Sequence, residues 1–404
     1  MANRLSKVAS QVVQCGILLM KTIHFGIIGC GLMGREFVSA VARWCHLGTF
    51  EVRPEIVAIC NRSLTPDKVR WFTDNLVTIS QVTNDYRQLL ANRNVEAVYM
   101  AVPHDLQEEF YCQALQAGKH LMGEKPFGID KKANDTIMAC VQRHPDCFVR
   151  CSSQFAFYPG MQKVSEMIEA NSFGQIIEVN CGFLHCSDLD PSKLINWKRM
   201  VQHNGEYGCM GDLGMHACHL PIRAGWLPKN VRAVLSNIIT ERPHERDTKV
   251  PCDTWDNATL LCEAESISSN RTFPLTIRIH RIAPGEKNTL YIEVLGTEAS
   301  VRFSTKNVNS IEVLQYHGGD EQAWKRVDLG QEMTFGSITG AVFEVGFSDV
   351  ILQMWAAFLY ELEHGKPITK FAGCITPKET AICHRLFTAA LESHETGRTV
   401  PSRC

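Results

Sequence analysis

A glycine-rich turn between a predicted strand and a predicted helix limits the possible folds of this chain more than any other feature of its sequence. Residues 23–28 are apolar, residues 35–44 have helical periodicity, and Gly29, Gly31 and Gly34 stand between them. In a dinucleotide site the first glycine makes the tight turn, the second lets the backbone approach the pyrophosphate, and the third lets the helix pack on the strand. The phosphates then lie at the helix N-terminus. The pattern predicts a Rossmann domain, and a glycine-rich turn without a ligand is the alternative.

The order of strands and helices changes near residue 155. Before it, apolar strands alternate with helices, which is typical of βαβ units in a parallel sheet. From residue 233 onwards strands follow one another without helices, which favours an open, mainly antiparallel sheet. The sequence therefore predicts an α/β protein with an N-terminal Rossmann fold over residues 21–150. It also predicts a C-terminal α/β domain over residues 151–371 for substrate binding and oligomerisation, and a helix within residues 372–402 that completes the Rossmann domain.

Composition argues against two classes of partner. The net charge is -2 with no run of Lys or Arg, which gives no electrostatic reason to expect nucleic acid. No apolar stretch approaches the roughly 20 residues that span a bilayer. The 17 cysteines are scattered, as is typical of buried thiols in a reducing compartment, so we expect a cytoplasmic protein. Residues 1–20 faintly resemble a secretory signal, but Gln11 and Gln14 interrupt the apolar run, so we expect a disordered or start-site extension.

The end of the second predicted strand bears on the choice between NAD and NADP. NAD-binding Rossmann domains often place a carboxylate there to bind the ribose hydroxyls. This chain has Asn61, Arg62 and Ser63, which can donate to a 2'-phosphate. The run favours NADP over NAD, and the alternative is that Arg62 only stacks on the adenine.

Three further motifs, in order along the chain, carry a resemblance to a known family. They are Ala101-Val102-Pro103-His104, then Ala117-Gly118-Lys119-His120 running on to Glu124-Lys125-Pro126, and Gly211-Asp212-Leu213-Gly214-Met215-His216. With the glycine turn, they resemble the Gfo/Idh/MocA oxidoreductase family from about residue 22 to residue 400. The resemblance implies an NAD(P)-dependent oxidoreductase that acts on a secondary CH-OH group of a sugar, glycoside or cyclitol.

The resemblance assigns the catalytic positions to Lys125, Asp212 and His216. Oxidising an alcohol requires a proton acceptor and a group that stabilises the developing alkoxide. An imidazole such as that of His216 suits the first role, the ammonium of Lys125 suits the second, and Asp212 can orient the substrate or the imidazole. The alternatives are a strand-end surface lysine and a hydrogen-bonded core histidine.

The expected contacts form two further sets. For the cofactor we expect Gly29, Gly31, Leu32, Met33, Gly34, Asn61, Arg62, Ser63, Val102, Pro103, His104, Glu124 and Lys125. For the substrate we expect Lys125, Trp197, Lys198, Arg199, Asp212 and His216, because the loop with an aromatic beside two cations precedes the catalytic segment. A solvated basic loop is the alternative for residues 197–199.

Departures from the family pattern bear on the identity of the substrate more than on the type of reaction. His104 stands where many members have Asn, Gln107 where His is usual, and His219 where an acidic residue often follows the catalytic histidine. His216 and His219 also invite a zinc interpretation, but no Cys-x-x-Cys pair completes a site, so we expect no metal.

Two other functions compete with the oxidoreductase. Some relatives are glycosidases that act through a transient 3-keto intermediate and keep their cofactor, and this chain retains the same Lys, Asp and His. A non-catalytic sugar or dinucleotide sensor is disfavoured because all three catalytic positions hold reactive residue types. As partners we expect a small carbohydrate-like substrate and a second copy of the chain, in a homodimer or homotetramer, with neither nucleic acid nor membrane.

Overall fold

The computed structural model describes residues 20–48, 50–245, 248–319, 321–330, 333–340 and 342–402. Two large β-sheets and the helices packed on them make up this part of the chain. The predicted N-terminal extension lies outside the described residues except for Met20.

Six parallel strands form the first sheet, in the order β3-β2-β1-β4-β5-β6. This is the strand order of the doubly wound dinucleotide-binding fold, in which ligands bind where the order reverses. The reversal lies between β1 and β4, directly above the glycine turn. The strands are β1 (Lys21–Ile28), β2 (Val52–Cys60), β3 (Gln81–Thr83), β4 (Ala97–Met100), β5 (His120–Gly123) and β6 (Val149–Cys151).

Five helices belong to this part of the chain, and their starts follow local capping rules. Thr65 and Asp130 are N-caps whose side chains accept hydrogen bonds from the backbone N–H groups of Lys68 and Ala133. The helices are α1 (Leu32–Ala42), α2 (Pro66–Asn75), α3 (Tyr86–Leu90), α4 (His104–Gln116) and α5 (Lys131–Arg143).

The second sheet is open and mainly antiparallel, in the order β17-β16-β15-β14-β7-β13-β12-β9-β18, with β8 paired to β12. One pair, β7 with β13, is parallel. A separate hairpin of β10 and β11 stands outside it. The strands are β7 (Ile176–Leu184), β8 (Trp226–Pro228), β9 (Asn230–Ser236), β10 (Glu241–Glu245), β11 (Thr248–Pro251), β12 (Asn257–Ser266), β13 (Thr272–His280), β14 (Thr289–Gly296), β15 (Ala299–Ser304), β16 (Ser310–Gln315), β17 (Lys325–Asp328) and β18 (Val400–Pro401).

Alternation along the strands gives the second sheet one buried and one open face. In β12, Leu260 and Cys262 are buried while Thr259 and Leu261 are exposed. Such a period of two is what one packed face and one solvated face require. The remaining helices are α6 (Pro159–Glu169), α7 (Val201–Asn204), α8 (Met215–Ala224), α9 (Phe347–His364) and α10 (Pro377–Thr396).

Helix α9 packs on the first sheet, although residues 151–371 are predicted as the second domain. Its Trp355 stacks on Phe37 of α1, with ring centroids 3.6 Å apart, and meets the edge of Phe25 of β1. Two ion pairs tie α9 to the same domain, Arg43 with Asp349 and Arg150 with Glu361. The burial of large aromatic rings explains why this amphipathic helix returns to the first domain.

Helix α10 lies between the two sheets. It contacts α5 and β6 of the first domain and also α8 and β9 of the second, and β18, which follows it, pairs with β9. The predicted domain boundaries and the completion of the Rossmann domain by a C-terminal helix stay predictions. Both α9 and α10 contact elements of the first domain. The structure confirms the predicted fold class. No helix in the described ranges is both long and apolar enough to cross a membrane.

Candidate active site

The glycine turn has the geometry that a pyrophosphate needs. Gly29 has a φ of 106°, and a Cβ there would lie 2.2 Å from the carbonyl oxygen of Ala101. A Cβ on Gly34 would lie 2.3 Å from the carbonyl oxygen of Gly29. At Gly31, by contrast, nothing lies within 4 Å of an added Cβ, and this residue caps α1 without a side chain. The first N–H groups of α1 therefore face an open cradle that fits a dinucleotide phosphate.

Asn61 uses its side chain inside the loop. Its Oδ1 accepts from the N–H of Cys30 at 3.1 Å, and its Nδ2 donates to the carbonyl of Ser63 at 2.7 Å. These bonds connect the end of β2 to the glycine turn. Of the three residues predicted to meet the adenosine ribose, Arg62 and the hydroxyl of Ser63 therefore keep exposed donors, while the Asn61 amide is occupied.

One cleft contains the predicted residues that follow β4 and β5, which are Val102, Pro103, His104, Glu124 and Lys125. Of these, His104 is buried, its Nδ1 is 3.0 Å from the carbonyl oxygen of Asn204, and its ring meets the edge of Trp197. Burial and then Lys125 lower the pKa of His104 to about 3, so its imidazole is neutral. Glu124 lines the cleft and accepts hydrogen bonds from Tyr99 and Ser152 through Oε1.

Lys125 and Asp212 form a direct ion pair. The Nζ of Lys125 lies 2.6 Å from Oδ1 and 2.6 Å from the backbone carbonyl oxygen of Asp212. Lys125 follows β5, whereas Asp212 comes from a five-residue π-helical turn, Met210–Gly214, that leads into α8. Such wide turns recur at functional sites because they re-aim side chains within a helix. The pair joins the two domains at the cleft.

Three cations surround the single carboxylate of Asp212. Besides Lys125, the Nζ of Lys198 lies 3.1 Å from each carboxylate oxygen, and Arg281 donates to Oδ2 at 2.5 Å. Burial alone would raise the pKa of Asp212, but Lys125, Lys198 and Arg281 outweigh it and hold this pKa well below its usual range. Asp212 is therefore a carboxylate at every physiological pH.

His216 presents one nitrogen to the cleft. Its Nδ1 is 3.0 Å from Oγ of Ser153, and its ring meets the edges of Phe155 and Phe183. Because Nδ1 is engaged, Nε2 is the nitrogen left for a substrate. Burial, followed by the charge of Lys125, lowers the pKa of His216 to about 3, so the imidazole is neutral and able to accept a proton.

One cleft of about 590 Å³ connects these groups to the glycine turn. Of the predicted residues, Gly31, Leu32, Met33, Val102, Pro103, His104, Glu124, Lys125, Trp197, Lys198, Asp212 and His216 line it. A larger cleft of about 780 Å³ lies at the opposite end of β7 and contains none of them. The smaller cleft is therefore the candidate active site.

Arg199 does not reach this cleft, which corrects the prediction that it binds substrate. Its side chain is fully buried, pairs with Asp256 and donates to the carbonyl of Ile239. The next residue after Lys198 in the short turn Trp197–Arg199 points to the opposite side, so the basic run splits into one cleft residue and one core residue.

Sequence reasoning also missed several cleft residues. Arg281 follows the end of β13, and Asp188 lies in the loop after β7. Ser153, which follows β6, is buried behind the cleft and contacts His216. None of them belongs to a motif, and the available signal was only that polar side chains follow the ends of strands. Within the described ranges no group of three or more His, Cys, Asp or Glu side chains could hold a metal.

Comparison with known proteins agrees with this geometry. The model of an oxidoreductase family with an NAD-binding Rossmann fold matches residues 23–150, and that of the GFO/IDH/MocA C-terminal domain matches residues 161–302. The chain belongs to the Gfo/Idh/MocA oxidoreductase family. The predicted family is thus confirmed, and so is the prediction of an enzyme, an oxidoreductase that binds a nicotinamide cofactor.

Relatives of this family member include named sugar enzymes. A levoglucosan dehydrogenase of Pseudarthrobacter phenanthrenivorans is 22% identical over 335 residues, which cover 78% of this chain and 83% of that protein. A dTDP-3,4-didehydro-2,6-dideoxy-alpha-D-glucose 3-reductase of Actinomadura kijaniata is 27% identical over 253 residues, 62% of this chain and 68% of that protein. A solved levoglucosan dehydrogenase in complex with NADH and L-sorbose has a TM-score of 0.84 at 21% identity, and the match covers 95% of this chain and 100% of that one.

Proposed function

We propose that this family member transfers a hydride to or from a secondary CH-OH group of a sugar, glycoside or cyclitol. One observation carries the proposal: the open Gly31 cradle and the groups of Lys125, Asp212 and His216 line the same cleft. Two relatives named for sugar substrates support the substrate class. The bound nicotinamide would supply the hydride acceptor or donor.

The chain's own residues would act on the oxygen. Neutral His216 would take the hydroxyl proton on Nε2, while the Lys125 ammonium, oriented by Asp212, would stabilise the developing alkoxide. The surplus of cations around Asp212 adds positive potential at this point, which favours an alkoxide over an alcohol. The phenyl rings beside His216 keep the imidazole in place and exclude water from its side.

A substrate screen tests the proposal. Purified enzyme is mixed with NAD or NADP and a panel of sugars, anhydrosugars, sugar acids and cyclitols, and absorbance at the NAD(P)H band is followed. We expect turnover with at least one cyclic polyol. The absence of turnover with every member of the panel, each at a saturating concentration, would contradict the proposal. Aryl glycosides in the same screen report aglycone release, which identifies a hydrolase acting through a transient 3-keto intermediate.

We further propose a preference for NADP, carried by Arg62 and Ser63. Both are exposed beside the end of β2. Residues 61–63 include no carboxylate that would repel a 2'-phosphate. Arg62→Ala is expected to weaken NADP binding by about 1 kcal/mol or more and leave NAD binding nearly unchanged, because only NADP carries the 2'-phosphate. Equal losses for both cofactors in a fluorescence titration would assign Arg62 to adenine stacking instead.

A further inference from the structure

The reaction must move a proton between the buried cleft and solvent. In the proposed oxidation, the hydroxyl proton reaches His216, whose burial and nearby Lys125 charge hold its pKa near 3. Such an imidazole cannot keep a proton at neutral pH. A second group in the cleft therefore has to take it on.

The cleft offers few groups that could do so. Arg281 is a guanidinium, which does not give up its proton in proteins, and its side chain is only 4% exposed. Lys125 is 15% exposed and makes two contacts of 2.6 Å to Asp212. Lys193 donates to Asp188 and to the carbonyl of Ser187, so it has a carboxylate of its own.

Lys198 differs from Lys125 and Arg281 in both contacts and exposure, and it differs from Lys193 in its partner, because it shares the carboxylate of Asp212 with two other cations. Its Nζ lies 3.1 Å from each oxygen of Asp212, longer than the contacts of Lys125 and Arg281 with the same carboxylate. Its side chain is 37% exposed while it still lines the cleft. It is thus the least tightly held of three cations that share one negative charge, and it has access to both the cleft and solvent.

We propose that Lys198 is a catalytic residue that exchanges the reaction's proton between the cleft and solvent. This inference rests on the proposed function. During oxidation the substrate O–H bond would break and its proton would pass through His216 to the neutral Lys198 amine, while a bound nicotinamide would supply the acceptor for the hydride from the carbon. The resulting ammonium releases the proton to water. In the reduction direction the same ammonium supplies the proton.

The electrostatic surroundings of Lys198 support this role. Although part of its side chain is exposed, desolvation of its ammonium in the cleft lowers the pKa of Lys198 first, Asp212 opposes that shift, and Lys125 and Arg281 lower the pKa further. The histidines that interact with it across the cleft are His104, His185 and His216. Glu124, Asp188 and Lys193 line the same cleft. A neutral amine is therefore available at lower pH than for an exposed lysine. Oxidation should rise with pH through this pKa, and reduction should fall.

Matched substitutions separate proton transfer from charge. Lys198→Arg keeps a cation beside Asp212 but cannot release a proton at working pH. We expect it to lower turnover at least tenfold and to abolish the rise of oxidation rate with pH, with cofactor affinity changed less than twofold. Lys249→Arg, on an exposed hairpin lysine paired with Glu241, is the control and should behave like wild type.

Chemical rescue gives an independent readout. Lys198→Ala leaves space for a small amine, so added methylamine or ethylamine should restore turnover in Lys198→Ala in proportion to the concentration of free amine. The same amines should not restore His216→Ala. A merely structural lysine would not produce this pattern.

A direct titration needs neither substrate nor cofactor. In ¹⁵N-lysine-labelled enzyme, the Nζ resonance missing from Lys198→Arg is expected to titrate at lower pH than that of Lys249. A wild-type pH profile in Lys198→Arg, or no amine rescue, would overturn the role of Lys198 while leaving the proposed function intact. If wild type itself transfers no hydride in the substrate screen, the proposed function fails instead.

Discussion

At the scale of single residues, Lys125 and His216 are expected to serve one transition state. Lys125→Ala and His216→Ala should each lower turnover by roughly 100-fold or more, the scale typical of electrostatic and acid–base groups. Because both act on the same oxygen, the double variant should lose less than the product of the single losses. Steady-state kinetics with a substrate from the screen measures all three.

Cofactor affinity provides the control for these two variants. The dissociation constant of the dinucleotide should change little in His216→Ala, since His216 belongs to α8 of the second domain. Near-wild-type turnover in His216→Ala would make His216 a structural histidine packed between Phe155 and Phe183.

At the scale of elements, the strand–turn–helix unit of β1 and α1 allows a matched test of the cofactor cradle. Gly31→Ala places a methyl group where nothing lies within 4 Å, so the fold should keep its stability while dinucleotide affinity falls at least tenfold. Gly34→Ala drives a Cβ against the backbone of Gly29 and should reduce both stability and affinity. Thermal unfolding with and without dinucleotide distinguishes the two.

Two outcomes of the Gly31→Ala experiment would contradict the proposed phosphate contact. If Gly31→Ala binds NAD and NADP as wild type does, the phosphates do not approach this turn. A loss of thermal stability in Gly31→Ala without cofactor would instead show that the open space is needed by the protein itself.

The second sheet has one open face, and we expect this face to form the interface between two copies of the chain. Val234 of β9 and Leu261 of β12 are 60% and 53% exposed there. Leu261→Glu places a charge in that face and should yield a monomer in sedimentation velocity. Val82→Glu, on the exposed edge strand β3, should leave the mass unchanged. A wild-type monomer would rule out this interface.

At the scale of the whole molecule, buried neutral histidines should make stability fall in acid. Burial first, and Arg223 next, lower the pKa of His219 to about 3, and burial likewise lowers those of His104 and His216 to about 3. A depressed histidine pKa means that the unfolded chain binds protons first. The stability that each contributes is full above about pH 6.5 and is lost as the pH falls towards 3.

A substitution at His219 measures the contribution of a single histidine to the pH dependence of stability, because His219 does not line the cleft. Its Nε2 is buried without a hydrogen-bond partner among the described residues. His219→Leu should flatten the fall in the free energy of unfolding between pH 6 and pH 4 by about 1.4 kcal/mol per pH unit. The exposed His317→Leu should not change the slope. Urea unfolding at several pH values measures it, and an unchanged slope in His219→Leu would mean that His219 is not buried neutral.

The sequence by itself determined the features that are encoded locally. The Gly29, Gly31 and Gly34 turn and the motifs around Lys125 and His216 each lie within a few residues. The change from alternating to consecutive strands is the sum of the short periodic patterns of single segments. Backbone sterics and side-chain periodicity act over those distances, so a pattern can predict them. The confirmed family and fold class rest on these features.

Tertiary structure decided what depends on distant residues meeting. Arg281 reaches Asp212 across 69 residues and Lys125 reaches it across 87, and only the packing of two domains brings these charges to one carboxylate. Packing likewise decides whether a basic residue lines the cleft or lies in the core. For this reason Lys198 lines the cleft while the adjacent Arg199 is buried. The pKa of His216 follows from the same burial, because desolvation is a property of the folded interior and not of the local sequence.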